Sequence, residues 1–143
     1  MKSLFYILLF ASLTAWADGT IVGKWKTIDD ETGKEKSIVE ITKDGDEFKG
    51  RILELFNSDK PNPICDKCSG DKKDQPVVGM EIIWGMKETD SGKEWTKGNI
   101  MDPKNGKTYS CRLRLKEDGQ KLEVRGFLGF SLLGRSQTWL RAE

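Results

Sequence analysis

The sequence predicts an all-β fold, an antiparallel meander closing into a small barrel of about eight strands, and three observations carry that expectation. Short runs of alternating apolar and polar residues recur along the chain, separated by Asp44-Gly45, Asn105-Gly106 and Asp118-Gly119, the kind of pair that tight hairpin turns require. No segment longer than the apolar stretch Phe127 to Gly134 has helical periodicity. The first run, Ile21 to Thr27, and the last, Gln137 to Arg141, each carry a tryptophan and read as strands, so the last can return beside the first. Closure of that kind removes the free edges that invite aggregation.

Residues 1–17 precede the fold. Lys2 supplies a positive start, Leu4 to Leu13 is an apolar run of about ten residues, and Ala15-Trp16-Ala17 is a small-x-small cleavage site before Asp18. That run is shorter than the ~20 residues of a membrane span. It reads as a secretory signal cut after Ala17, which places residues 18–143 in the periplasm or outside the cell as one domain with no integral membrane span.

The strands follow in order. Ser37 to Lys43 has apolar residues on both sides, as a strand with little exposed surface would. Phe48 to Phe56 is the third run, with Gly50 at a bulge or bend. Asn57 to Pro76 has no period and holds three prolines and two cysteines, a loop longer than the ~12 to 15 residues usual in compact domains. Val77 to Met86 resumes as a strand with Met80, Ile82, Trp84 and Met86 expected on one side, and Trp95 to Met101 follows.

Thr108 to Lys116 is the cleanest alternation, with Tyr109, Cys111, Leu113 and Leu115 on one face and Ser110, Arg112, Arg114 and Lys116 on the other. Leu122, Val124 and Gly126 continue the inner face, and Ser136 to Arg141 closes the chain. Phe127 to Leu133 is expected to plug one barrel end, the other reading being an exposed tip for a membrane or partner.

Composition narrows function. Without Lys2 the chain carries 23 basic and 23 acidic side chains, a balance that argues against nucleic acid, since phosphate neutralisation needs a positive face. The absence of histidine removes the commonest general base and metal ligand, so no catalytic residue, metal site or cofactor is expected. Cys65 and Cys68 form a Cys-x-x-Cys pair among prolines with no helix following, which suits a disulfide in an oxidising compartment better than a redox couple or half a zinc site. Cys65 with Cys68 is favoured slightly, and Cys111 is the alternative partner for either, since it would constrain more chain. Glu40 and Glu54 could form a buried acid pair if they faced inward; a rim position is the better expectation.

Gly23-Lys24-Trp25, Gly79 with Ile82, Gly98, Ile100-Met101-Asp102-Pro103, Gly106-Lys107-Thr108-Tyr109, Gly126-Phe127 and Leu133-Gly134-Arg135 before Trp139 together resemble the bacterial family called domain of unknown function 2147. The resemblance runs from Val22 to Arg141 and implies an exported protein with a calycin, or lipocalin-like, barrel. It implies no catalytic residues. In calycins the first-strand tryptophan packs under an arginine of the last strand, which implies closure by Gly23 and Trp25 with Arg141, or with Arg135 in another register.

A barrel of about eight strands is either filled by side chains or holds one small ligand. The expectation is a non-enzymatic barrel binding a small hydrophobic or amphipathic molecule, with Trp84, Met86, Trp95, Asn99 and Tyr109 as candidate ligand contacts. The alternatives are an envelope module with a filled barrel that meets a protein partner and, more weakly, a thiol-redox protein.

Overall fold

A computed structural model describes residues 19–129 and 134–142; the expected signal segment, residues 1–17, and most of the apolar tip expected at 127–133 lie outside these. Eight antiparallel strands form one closed barrel in sequence order. They are β1 (Gly23–Ile28), β2 (Glu35–Asp44), β3 (Glu47–Leu55), β4 (Glu81–Glu88), β5 (Glu94–Asp102), β6 (Lys107–Lys116), β7 (Lys121–Phe127) and β8 (Gly134–Arg141). The closing ladder pairs Trp25 with Arg141 and Lys26 with Leu140. The expected meander and closure are thus both present.

Residues directly opposite in adjacent strands share a face, so the register separates the inside of the barrel from the outside. Trp25, Val39 and Ile52 form one row and Leu115, Leu122 and Trp139 another, all buried. These side chains fill the half of the barrel that begins at Gly23. Phe48 packs its ring edge against Trp95 at 5.9 Å, and Met86 lies opposite Phe48, so aromatic and thioether side chains occupy that half fully.

Two strands depart from simple alternation. Ile82 and Ile83 are both buried, and the register between β5 and β6 shifts between Trp95 and Gly98. Gly85 has φ +71 and Lys97 φ +67, so both strands turn through left-handed backbone at one level of the wall. For a non-glycine residue such as Lys97 this costs about 1–2 kcal/mol. The consequence is a change of phase: Ile83 and Met86 face inward, whereas Ile82 and Trp84 face outward. Sequence alternation put Ile82, Trp84 and Met86 on one side; the bulge at Gly85 overturns that assignment. The strand also begins at Glu81 and not at Val77.

Gly50 sits between two register breaks in the β3–β4 ladder, and a side chain there would press on Ile83 and Val39. Residues 57–80 lie against the outer wall. Ile64 bridges Pro76, Cys65 N–H donates to Gln75 O at 2.8 Å, and Val77 N–H donates to Pro63 O at 2.9 Å, giving the segment a small ladder of its own. It covers Ile82 and Met101 on the outside, with Cys68 Sγ 3.7 Å from Met101 Sδ. Gly106 permits the close approach, because a Cβ there would enter the Lys67 carbonyl.

Candidate functional site

The two ends of the barrel are built differently. At the Gly23 end, Arg141 stacks on Trp25 with 4.1 Å between the guanidinium carbon and the ring centroid. The same guanidinium donates from Nη2 to Thr20 O at 2.7 Å, from Nη1 to Val22 O at 3.0 Å and from Nε to Gly119 O at 3.0 Å. Trp25 Nε1 donates to Ile21 O at 2.8 Å. One planar cation therefore ties the segment before β1, the β6–β7 turn and the last strand together, and this end is closed. Arg135 is 3.0 Å from Asp30 at the opposite end, so the register selects Arg141 as the partner of Trp25.

At that opposite end the inward row runs through Ile83, Ile100 and Tyr109, with Gly126 against Ile100 and Tyr109. Burial falls off along the barrel axis: Trp25, Val39 and Leu113 are 0% exposed, whereas Leu55, Ile100, Tyr109 and Gln137 are only partly buried. These residues ring the end of the barrel opposite Arg141, here called its mouth. Its floor carries Thr27 and Ser37, joined through their hydroxyls at 2.6 Å. Gln137 links rim to core, since its Oε1 accepts from Trp139 Nε1 at 3.2 Å while its Nε2 donates to Asp30 Oδ2 at 2.6 Å. Asn105 Nδ2 donates to the Tyr109 hydroxyl at 3.2 Å. The β1–β2 turn is held by Asp29, whose carboxyl lies below its ordinary pKa because the backbone N–H groups of Thr32 and Glu31 donate to it.

The five residues expected to contact a ligand do not form one surface. Met86 and Trp95 are core residues near the closed end; the Trp95 indole N–H is buried and has no acceptor among the described residues. Trp84 and Asn99 are opposite each other on the outer face, with Lys72 Nζ 4.8 Å from the Trp84 ring centroid. A crevice of about 140 Å³ lies there between the loop and the wall. Tyr109 alone stands at the mouth.

Leu55, Ile100, Thr27, Ser37, Gln137 and Asp30 complete the mouth and were missed. For Ile100, counting alternation through Lys97 assigns the wrong face, with Gly98 as the available signal; the others take their place from their position along the barrel axis, which alternation does not report.

Cys65 and Cys68 form the disulfide, and Cys111 is free and buried. Burial pushes the Cys111 thiol up to about 12, so it is no nucleophile at neutral pH. Both disulfide sulfurs are on residues at most 5% exposed, which hinders the in-line attack that thiol exchange needs. Glu40 is only partly buried and Glu54 is exposed, in separate cross-strand rows, so they form no buried acid pair. Among the described residues no group of three or more acidic, cysteine or histidine side chains could hold a metal ion, and no helix is long and apolar enough to cross a membrane.

The family model described as "Uncharacterized protein conserved in bacteria (DUF2147)" matches residues 23–141, the whole barrel from the first strand to the last. The chain belongs to this family. A comparison with curated proteins finds no match. Among solved structures, the family's barrel here is similar to one described as "Protein HP1028 from the human pathogen Helicobacter pylori belongs to the lipocalin family", with a TM-score of 0.76 at 17% identity, covering 87% of this chain and 84% of that one. At that identity the likeness is one of fold. It places this DUF2147 chain on a lipocalin-like barrel.

Proposed function

We propose that this protein is an exported, non-enzymatic barrel that takes a small apolar or amphipathic molecule at its mouth. The observation that supports this most is the gradient of burial along the inward face, from complete at Trp25 and Val39 to partial at Leu55, Ile100 and Tyr109. A small molecule at that end would rest on the packed core, with apolar contact from Leu55 and Ile100 and hydrogen bonds from Tyr109, Gln137 and the rim. Export rests on the segment from Lys2 to Ala17.

Native mass spectrometry of the protein taken from its own cell envelope tests the reading. A reproducible adduct released on denaturation, and absent from an Ile100→Trp variant that fills the mouth, supports it. An adduct that persists in that variant places the ligand elsewhere and overturns it.

A second reading has its own support. The half of the barrel near Gly23 is packed with side chains, and the disulfide-stapled segment builds a further apolar cluster outside the wall from Cys65, Cys68, Ile82 and Met101. An envelope interaction module with a filled barrel would use such a cluster to hold a rigid outer surface. A bare mass in the same experiment, together with a specific crosslink from residues 57–76 to one envelope protein, favours it.

A further inference from the structure

The outer wall carries a feature that the mouth does not use. Over β5, β6 and β7, a concavity of about 340 Å³ is lined by Thr96, Lys97, Asn99, Ser110, Arg112 and Phe127. It lies where the wall is bulged. Lys97 is held in left-handed backbone, and Gly98 beside it is packed so closely on Trp84 and Met86 that any side chain would collide with them. Strained backbone of this kind persists only where its surroundings over-determine it, and such places cluster at binding sites.

The electrostatics of the concavity are unbalanced. The Arg112 side chain has no hydrogen bond or ion pair among the described residues, and its Nε is shielded from solvent without an acceptor. Directly opposite it on β7 is a second guanidinium, Arg125, which donates to Ser136 Oγ at 3.1 Å. Like charges facing each other across a ladder repel. The carboxylates on the same face are already engaged: Glu94, at the edge of the concavity, accepts from Arg114 Nε at 2.9 Å, and Glu123 is 3.2 Å from Lys116. Lys97 and Arg112 thus raise a local positive potential on a protein whose total charge is close to balanced. A desolvated guanidinium donor without an acceptor is costly, and an oxyanion is the partner whose geometry its planar fork matches.

We infer that this outer-wall concavity is a second binding site, for the carboxylate or phosphate group of a molecule with a small apolar body. The oxyanion sits against Arg112 with Lys97 nearby, Asn99 and Ser110 supply neutral hydrogen bonds, and the Phe127 ring receives the apolar part. The site is independent of the mouth, because Arg112, Ser110 and Phe127 face the other side of the wall from Ile100 and Tyr109.

The test uses amide NMR of the folded protein with hexyl phosphate, hexanoate and inorganic phosphate at constant ionic strength, plus co-sedimentation with phosphatidylglycerol or phosphatidylcholine vesicles. Hexyl phosphate or hexanoate should shift Asn99, Ser110 and Phe127 and bind at least about threefold more tightly than inorganic phosphate, since the apolar body adds burial. Arg112→Gln should weaken this at least about tenfold, and Arg112→Lys, which keeps the charge without the fork, about threefold. Arg51→Gln, a change to an exposed arginine on β3 that does not line the concavity, should leave it unchanged. Binding of the soluble probes identifies a free metabolite as the source of the anion. Arg112-dependent binding to phosphatidylglycerol vesicles alone identifies a lipid headgroup. The inference is overturned if no probe and no vesicle binds beyond the effect of sodium chloride, if Arg112→Gln and Arg112→Lys both bind as the unaltered protein does, or if Ile100→Trp abolishes the shifts, which would put the probe in the mouth.

Discussion

The Arg141 guanidinium lies 4.1 Å from the centroid of the Trp25 ring and donates three hydrogen bonds to carbonyls of Thr20, Val22 and Gly119. One side chain of the last strand thereby fastens the first strand, the segment before it and a turn between two others. Burial draws the Arg141 pKa below its ordinary value, as expected for a cation partly removed from water, yet the carbonyls keep it hydrogen-bonded.

Removing either half of this clamp should destabilise the barrel. Trp25→Ala empties a fully buried site and should lower unfolding free energy by about 3–5 kcal/mol. Arg141→Ala, which strands three carbonyls, should lower it by about 1.5–3 kcal/mol. Urea unfolding followed by tryptophan fluorescence measures both; midpoints within error of the unaltered protein would mean that closure does not depend on this pair.

Gly98→Ala should be destabilising although it adds only a methyl group. The new Cβ would meet the Trp84 carbonyl, which is backbone, as well as Met86 Sδ, so relief requires the β4–β5 wall to move. Overpacking of this kind costs about 1–3 kcal/mol. Thermal unfolding would show it as a lower midpoint, and an unchanged midpoint would contradict the close approach of the two bulged strands.

The buried thiol predicts a loss of stability in alkali. Unfolded Cys111 gives up its proton near its ordinary value of 9.0, while the folded thiol keeps it until about 12. Between those values the unfolded state binds fewer protons, so stability falls as pH rises, by up to about 1.4 kcal/mol per pH unit from this group. Denaturant titrations from pH 8 to 11 should show a steeper decline for the native protein than for Cys111→Ala. Parallel curves would mean that the thiol is not held neutral by burial.

Loss of the disulfide should act locally. Its loop is short, so a chain-entropy argument gives about 2 kcal/mol. Replacing both Cys65 and Cys68 by Ser should speed hydrogen exchange at the Cys65 and Val77 amides, which bond to Gln75 and Pro63. Amides of Val39 and Leu113 in the barrel should exchange as before. Equal acceleration in all of them would make the outer segment part of one cooperative unit with the barrel.

Much of the architecture was legible because its signals are local. Strand number, the turns at Asp44-Gly45, Asn105-Gly106 and Asp118-Gly119, and the inward set Cys111, Leu113 and Leu115 follow from period and turn chemistry. The candidate site was far less so. Trp84 and Asn99 lie outside the wall because left-handed Gly85 and Lys97 break the alternation between them and the inward Met86 and Trp95, and these two lie in the packed half, a place along the barrel axis that alternation does not report.

The sequence by itself determined an all-β meander of eight strands with a tryptophan at each end of the chain's barrel segment, because alternation and turn residues act over two to four positions. Only the tertiary structure decided three further things: the bonding of Cys65 to Cys68 with Cys111 left in the core, the packing of residues 57–80 over Ile82 and Met101, and the face on which Trp84 and Asn99 stand. Each of these depends on distances between segments far apart in the chain, and a local pattern carries no information about such distances.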